Sequence, residues 1–225
     1  MTELGTPSTF LFADLAGFTA LTEAMGDADA ADLAADFCAA VQELLPDYGA
    51  EQVKAIGDAV MIRADEASQA VRLGLRIVNH IGGQHYFPIV RAGMSTGPAV
   101  ERDGDWFGTT VNVAARVSGV AGGGEVLLTE TTREAAGPAE DFELRERGRR
   151  SLRNVVEPVL LYAAIGEGGR QGADLPIDPV CRMAVDPDHS AGSLVHDGVE
   201  HHFCSLDCAA KFAAAPDRYA GRDSP

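Results

Sequence analysis

The chain predicts an α/β (α+β) sandwich: a mixed sheet with helices packed on it. Three observations carry this. Residues 8–13, around Phe10-Leu11-Phe12-Ala13, read as a buried strand. Residues 28–45 read as a helix, because Leu33, Phe37, Val41 and Leu44 recur at three- and four-residue steps behind acidic first-turn residues. Two strands then flank the pair Gly57-Asp58, which reads as a two-residue hairpin turn. A second helix over 66–81 follows from Ala70, Val71, Leu75 and Val78. Strands are expected at 88–93 and 98–102, a short helix at 110–120, a strand at 125–129 and a hairpin over 141–164. The order is βαββαβ with extra strands.

Composition bounds the partners. A net charge of −16 over 225 residues excludes broad nucleic-acid binding, which needs a basic surface. No apolar run approaches the ~20 residues that span a bilayer, so no membrane association is expected. The N-terminus lacks a basic stretch followed by an apolar core, so a cytoplasmic location is expected. Lys54 and Lys211 are the two lysines, and Arg145, Arg147, Arg149, Arg150 and Arg153 crowd one short stretch. That cluster reads either as a solvated β-ribbon face or, for one or two members, as a phosphate contact. A polar, glycine-rich linker is expected over 166–176. It divides a first domain, 1–165, from a second, 177–221, whose small core would gain from a metal staple.

Asp14 and Asp58 each end an apolar run and lead into a turn. A carboxylate at the mouth of a buried strand is costly unless paired. A hard divalent cation with phosphate oxygens is a natural partner. Ala16-Gly17-Phe18-Thr19 follows Asp14 and leads toward a helix, so its backbone N–H groups form a candidate anion cradle. Asn112 and Arg116, four apart, share a helix face that is either a solvent face or a functional one. Cys38 reads as a helix-packing residue.

Taken together, Phe12-Ala13-Asp14-Leu15-Ala16-Gly17-Phe18-Thr19, Lys54-Ala55-Ile56-Gly57-Asp58, Asp105-Trp106-Phe107-Gly108 through Arg116, and Ser151-Leu152-Arg153-Asn154 resemble the class III nucleotidyl cyclase catalytic domain. The resemblance covers about residues 8–165 and implies a ferredoxin-like mixed-sheet sandwich. It implies closure of a nucleoside triphosphate to a 3′,5′-cyclic monophosphate with release of pyrophosphate. By the same resemblance two Mg²⁺ or Mn²⁺ sit on Asp14, Leu15 and Asp58, while Lys54 and Asp105 read the base. Asn112 orients the ribose and Arg116 meets transition-state charge. Arg153 stands where the family has a triphosphate-binding lysine, and Ala16, Gly17, Phe18 and Thr19 approach the phosphates. The family also implies a head-to-tail homodimer, with the metal aspartates from one copy and the other groups from its twin.

The base follows from donor and acceptor inventory. Adenine offers an acceptor at N1 and a donor at N6; Lys54 only donates and ionised Asp105 only accepts. Guanine reverses both positions, so ATP is expected as substrate.

The C-terminal segment opens Asp178-Pro179-Val180-Cys181 and continues His201-His202-Phe203-Cys204-Ser205-Leu206-Asp207-Cys208, closing on Phe212 and Pro216-Asp217-Arg218-Tyr219. It resembles the YHS domain, a treble-clef-like metal-associated module. The resemblance implies a thiolate site on Cys181, Cys204 and Cys208 for Zn, Cu or Fe. The fourth ligand is a histidine, water or none. The leading expectation is an adenylate cyclase with an accessory metal-binding module. The alternatives are a noncatalytic nucleotide-binding or metal-sensing protein with a cyclase-like fold, and a metal-trafficking protein.

Overall fold

The computed structural model describes residues 6–82, 88–166, 176–181 and 185–220. The chain opens with β1 (Ser8–Leu15), α1 (Phe18–Met25) and α2 (Asp27–Leu44). The hairpin β2 (Ala50–Ile56) and β3 (Ala59–Ala64) turns at Gly57-Asp58. Next come α3 (Ala67–Arg76), continued by a wider π-turn at Ile77–Ile81, and β4 (Val90–Gly97). A small ribbon of β5 (Val100–Arg102) and β6 (Asp105–Phe107) precedes α4 (Thr109–Val120). The unit closes with β7 (Val126–Thr129), α5 (Glu130–Ala136), β8 (Phe142–Arg150) and β9 (Val159–Gly166).

Seven strands form one mixed sheet in the order β2-β3-β1-β4-β7-β9-β8, in which β4 and β7 run parallel. The strand β1 is covered on both faces, which is why its sequence is so apolar. Leu11, Ala13 and Leu15 enter one core with Phe37 and Val41 of α2 and Val71 and Leu73 of α3. Phe10 and Phe12 enter another with Val111 and Ala114 of α4. Asp14 shares the alternation of Phe10 and Phe12 and so faces the α4 side.

The expected strands 88–93 and 98–102 prove to be one long strand, β4, and an arm of the separate β5–β6 ribbon. The expected strand stops at Gly93, yet β4 runs through this glycine, whose role is close approach. A Cβ there would stand 1.9 Å from the Ser118 amide nitrogen, so α4 packs directly on the β4 backbone. The short helix α5 packs on β4, β7 and β9, while α1 packs beside α2.

In the C-terminal segment β10 (Gly192–His196) and β11 (Val199–Phe203) form a hairpin, followed by α6 (Leu206–Ala214) and α7 (Pro216–Tyr219). Val180, Cys181, Phe203, Cys208 and Phe212 pack in one buried cluster with Leu21 of α1. Lys211 Nζ donates to the Ala24 carbonyl at 2.6 Å. That carbonyl lies in the last turn of α1, where carbonyls lack helical partners. The expected linker falls mostly on residues outside those described.

Candidate functional site

The sequence places Asp14 at the end of β1 and Asp58 in the β2–β3 turn, and the sheet brings them to one end. Asp14 pairs across the strands with Ala59, the residue after Asp58. The Leu15 amide donates to the Asp58 carboxylate, and burial pushes the Asp58 pKa up, with the negative charge of Asp14 adding to the rise. The Leu15 side chain is buried in the core, so its backbone alone faces the site. Cys38 of α2 is half-buried nearby; burial and the Asp58 charge both push its thiol up, which keeps it inert.

Asp14 has two protein partners that the sequence did not reveal. Arg91 Nε donates to its Oδ1 at 2.5 Å, and Ser118 Oγ donates to Oδ2 at 2.8 Å. These residues lie 77 and 104 positions away in the chain, on β4 and α4. A lone arginine inside the otherwise small and apolar strand Val90-Arg91-Ala92-Gly93-Met94 is the signal that could have found the first.

Gly17 caps α1 with φ of 79°, a left-handed conformation suited to glycine. The Ala16 N–H is already spent on the Ile89 carbonyl at 2.7 Å. The amides that open α1, at Phe18 and Thr19, belong to the first turn of the helix, where N–H groups have no intrahelical acceptor. The cradle is therefore narrower than the four-residue run suggests.

Lys54 on β2 and Asp105 on β6 meet, with Nζ 2.6 Å from Oδ2. Both side chains stay about a third exposed. The Lys54 ammonium and the Trp106 N–H hold the Asp105 carboxyl below its ordinary range. Asp103 instead sits at the ribbon's tip with positive φ, in the β5–β6 turn. Trp106 packs on Phe10 and under the Arg63 guanidinium, which fixes the ribbon against the sheet.

Asn112 and Arg116 lie on the exposed face of α4, while Val113 and Val117 are buried. Leu152 shares that buried cluster, so the exposed loop that carries Arg153 is tied to α4. Ser118, which touches Asp14, projects roughly 120–160° round the helix from Asn112 and Arg116. Three members of the arginine cluster on β8 are engaged within the fold. Arg145 pairs with Glu143, Arg147 with Glu125, and Arg149 donates to the Pro158 carbonyl.

The second constellation is the thiol cluster. One ligand atom each from Asp178, Cys181, Cys204 and Cys208 lies within 4.8 Å of the others. The Cys181 and Cys204 sulfurs are 3.3 Å apart, and those of Cys204 and Cys208 are 3.8 Å apart. A tetrahedral thiolate site with arms of ~2.3 Å has sulfur–sulfur edges of roughly 3.8 Å, so the three cysteines fit such an ion. Among the described residues the fourth group in reach is Asp178, not a histidine: His201 is buried against the Phe212 ring. In sequence Asp178 only opens the Asp178-Pro179-Val180-Cys181 run and carries no role of its own. In the fold it is fully buried and accepts from the Val180, Cys181 and Cys204 amides, which locks the two cysteine-bearing turns together. The thiols titrate as a unit. Cys208 is pulled down by hydrogen bonds from Cys181 and Cys204, and the Cys181 thiol is pushed up by its bond to Cys204.

The sequence and the fold both match known proteins. Residues 5–164 match the adenylate and guanylate cyclase catalytic domain, and residues 177–223 match the YHS domain. The chain belongs to the class III adenylate and guanylate cyclase family, and carries a YHS domain after the cyclase domain. Among relatives, it is 37% identical over 170 residues to a pH-sensitive adenylate cyclase of Mycobacterium tuberculosis, covering 73% of this chain and 42% of that protein. It is 31% identical over 181 residues to an adenylate cyclase of Streptomyces griseus, covering 78% and 44%. The chain thus spans less than half the length of these relatives. An adenylate cyclase structure from Trypanosoma brucei superposes with a TM-score of 0.66 at 25% identity, covering 76% of this chain and 92% of that one. The adenylyl cyclase CyaB of P. aeruginosa shares the fold, with a TM-score of 0.60 at 23% identity over 71% and 93%.

Proposed function

We propose that this chain is an adenylate cyclase that converts ATP to 3′,5′-cyclic AMP and pyrophosphate at sites shared between two copies. Membership of the cyclase family and relatives named adenylate cyclase support the reaction class. The observation that carries the substrate is the Lys54–Asp105 pair, one donor and one acceptor held 2.6 Å apart on a braced ribbon. Adenine inserts by taking a hydrogen bond at N1 from Lys54 and giving one from N6 to Asp105.

Asp14 and Asp58 offer hard oxygen donors, which suit Mg²⁺ or Mn²⁺. Two such ions held there would supply Lewis acidity toward the ribose 3′-hydroxyl and positive charge toward the triphosphate. Asn112 holds the ribose in line. Arg116 meets the charge that builds on the α-phosphoryl oxygens, and Arg153 binds the terminal phosphates through a planar fork. The opposed faces of α4 support assembly from two copies. Ser118 reaches Asp14 from one side while Asn112 and Arg116 project from the other, so one copy does not turn both groups on one triphosphate. A two-fold interface then forms two equivalent sites. The boundaries that go with this reading are 1–165 for the cyclase domain, 166–176 for the linker and 177–221 for the module. The cysteine triad with Asp178 forms the module's site for a thiophilic ion.

The test is a product assay on purified protein with ATP or GTP and Mn²⁺ or Mg²⁺, with Asp58→Ala as the control. Cyclic AMP from ATP, at least tenfold above cyclic GMP from GTP, is the expected result. Equal turnover of both nucleotides refutes the base reading, and no product from either refutes the enzyme.

A further inference from the structure

The helix α1 begins at Phe18, just after the Asp14 turn, and has a single buried residue, Leu21. The Leu21 N–H donates to the Gly17 carbonyl at 3.1 Å, which ties it to that turn. Its side chain is packed by the C-terminal segment, in one buried cluster with Val180, Cys181, Phe203, Cys208 and Phe212. Phe18 packs on that cluster and on the main core alike. Toward the far end of α1, Lys211 Nζ holds the Ala24 carbonyl at 2.6 Å. Another side of α1 is open. A crevice of about 390 Å³ lies there, between Phe18 and Thr22 of α1, Ala34 and Cys38 of α2, and Gly57. An eight-residue helix is unstable alone in water, so the C-terminal packing fixes where α1 starts. Two residues of that packing, Cys181 and Cys208, also carry thiols of the candidate ion site.

We propose that α1 is shared between the two sites: the C-terminal module positions the Phe18 and Thr19 amides for the phosphates, so an ion on the thiols and a nucleotide at Asp14 and Asp58 each tighten the binding of the other. This rests on the reading of residues 16–19 as the approach to the triphosphate, and of Cys181, Cys204 and Cys208 as ion ligands. An ion on those thiols joins the Cys181 turn to the start of α6, the two pieces that enclose Leu21. The two sites then have one ordering cost in common. Whichever ligand arrives first fixes α1, and the second binds without that cost. Such coupling is reciprocal by thermodynamic necessity, and runs from about 5- to 150-fold in affinity. Leu21 and Lys211 are positioning residues: they act through α1.

The test is Co²⁺ binding to the full chain, read by the visible thiolate–cobalt absorption, which ions on the aspartates do not give. It is run in excess Mg²⁺, with and without 3′-deoxy-ATP, which lacks the hydroxyl that would cyclise. The wild type is expected to bind Co²⁺ at least about fivefold more tightly with the nucleotide present. Leu21→Ala is expected to bring that ratio below about twofold, and Lys211→Met to lower it by about twofold or more. Equal Co²⁺ affinity with and without bound nucleotide in the wild type overturns the proposal. So does a ratio that Lys211→Met leaves unchanged, which decides the matter should Leu21→Ala not fold. No retention of 3′-deoxy-ATP in equilibrium dialysis refutes the nucleotide site, and no thiolate–cobalt band refutes the ion site. This inference falls with either, but those failures are told apart from a failure of the coupling alone.

Discussion

Leu21→Ala is a substitution in the cyclase domain that should loosen the thiol module. Leu21 is 5% exposed and is the one buried residue of α1. Its buried neighbours Val180, Cys181, Phe203, Cys208 and Phe212 all come from the C-terminal segment. An eight-residue helix has little stability of its own, so α1 depends on this packing. Truncating a buried leucine costs about 2–5 kcal/mol, and the lower half is expected here because one side of the site can collapse. Phe212→Ala removes the opposite wall and costs about 3–5 kcal/mol alone. If the two side chains share one core, a double-mutant cycle gives a coupling of about 0.5–3 kcal/mol. The assay is urea unfolding of the metal-free protein, with thiol modification as a second readout in a Cys38→Ser background. Leu21→Ala should speed labelling of Cys204 and Cys208, although the substitution lies over 180 residues away in the chain. Additivity within about 0.3–0.5 kcal/mol, with unchanged labelling rates, would refute a shared core.

Two further outcomes follow from the charged groups. Asp58→Asn should abolish turnover, by about 10²–10³ or more, yet raise the melting temperature of the metal-free protein at neutral pH. The sign comes from the raised Asp58 pKa: the ionised carboxylate costs stability above that pKa, and the cost disappears below 3.8. The melting difference between variant and wild type should therefore shrink toward zero on acidification; a lower melting temperature at pH 7 would contradict it. In the thiol module the neighbouring thiols and burial push Cys181 and Cys204 up, so Zn²⁺ must displace about two protons from the coupled set. Zinc affinity should then rise on the order of 100-fold per pH unit near neutrality, measured by calorimetry in buffers of different protonation enthalpy. A pH-independent affinity would mean that the thiols are not the ligands.

Much of the fold could be read from local patterns, and the reasons are physical. β1 is buried on both faces, so its sequence is nearly all apolar and the charge at its end stands out. α2 writes its core face at helical spacing through Leu33, Phe37 and Val41. Lys54 and Asp105, 51 positions apart, share no local window, and their resemblance to family motifs, not spacing, sets them side by side. What stayed hidden depends on contacts between distant segments. Arg91 and Ser118 reach Asp14 across strand pairing and helix packing that no local window contains. Gly93 resembles a strand end because the sequence does not announce the helix lying on it. Asp178 shows no role in sequence because the three amides it accepts from converge only after Cys204 arrives from 26 positions away. The contact between α1 and the C-terminal segment has the same origin: Leu21 and Phe212 are unremarkable until they meet.

In the proposed dimer the aspartates of one copy work with the arginine of the other. Mixing Asp14→Ala with Arg116→Ala protein and measuring cyclic AMP from ATP tests it most directly. Each variant alone should be inactive, and an equal mixture should recover roughly a quarter of wild-type activity, because half of the dimers form with one intact site each. Activity of either variant alone, or an inactive mixture of variants that still exchange subunits, would contradict the account.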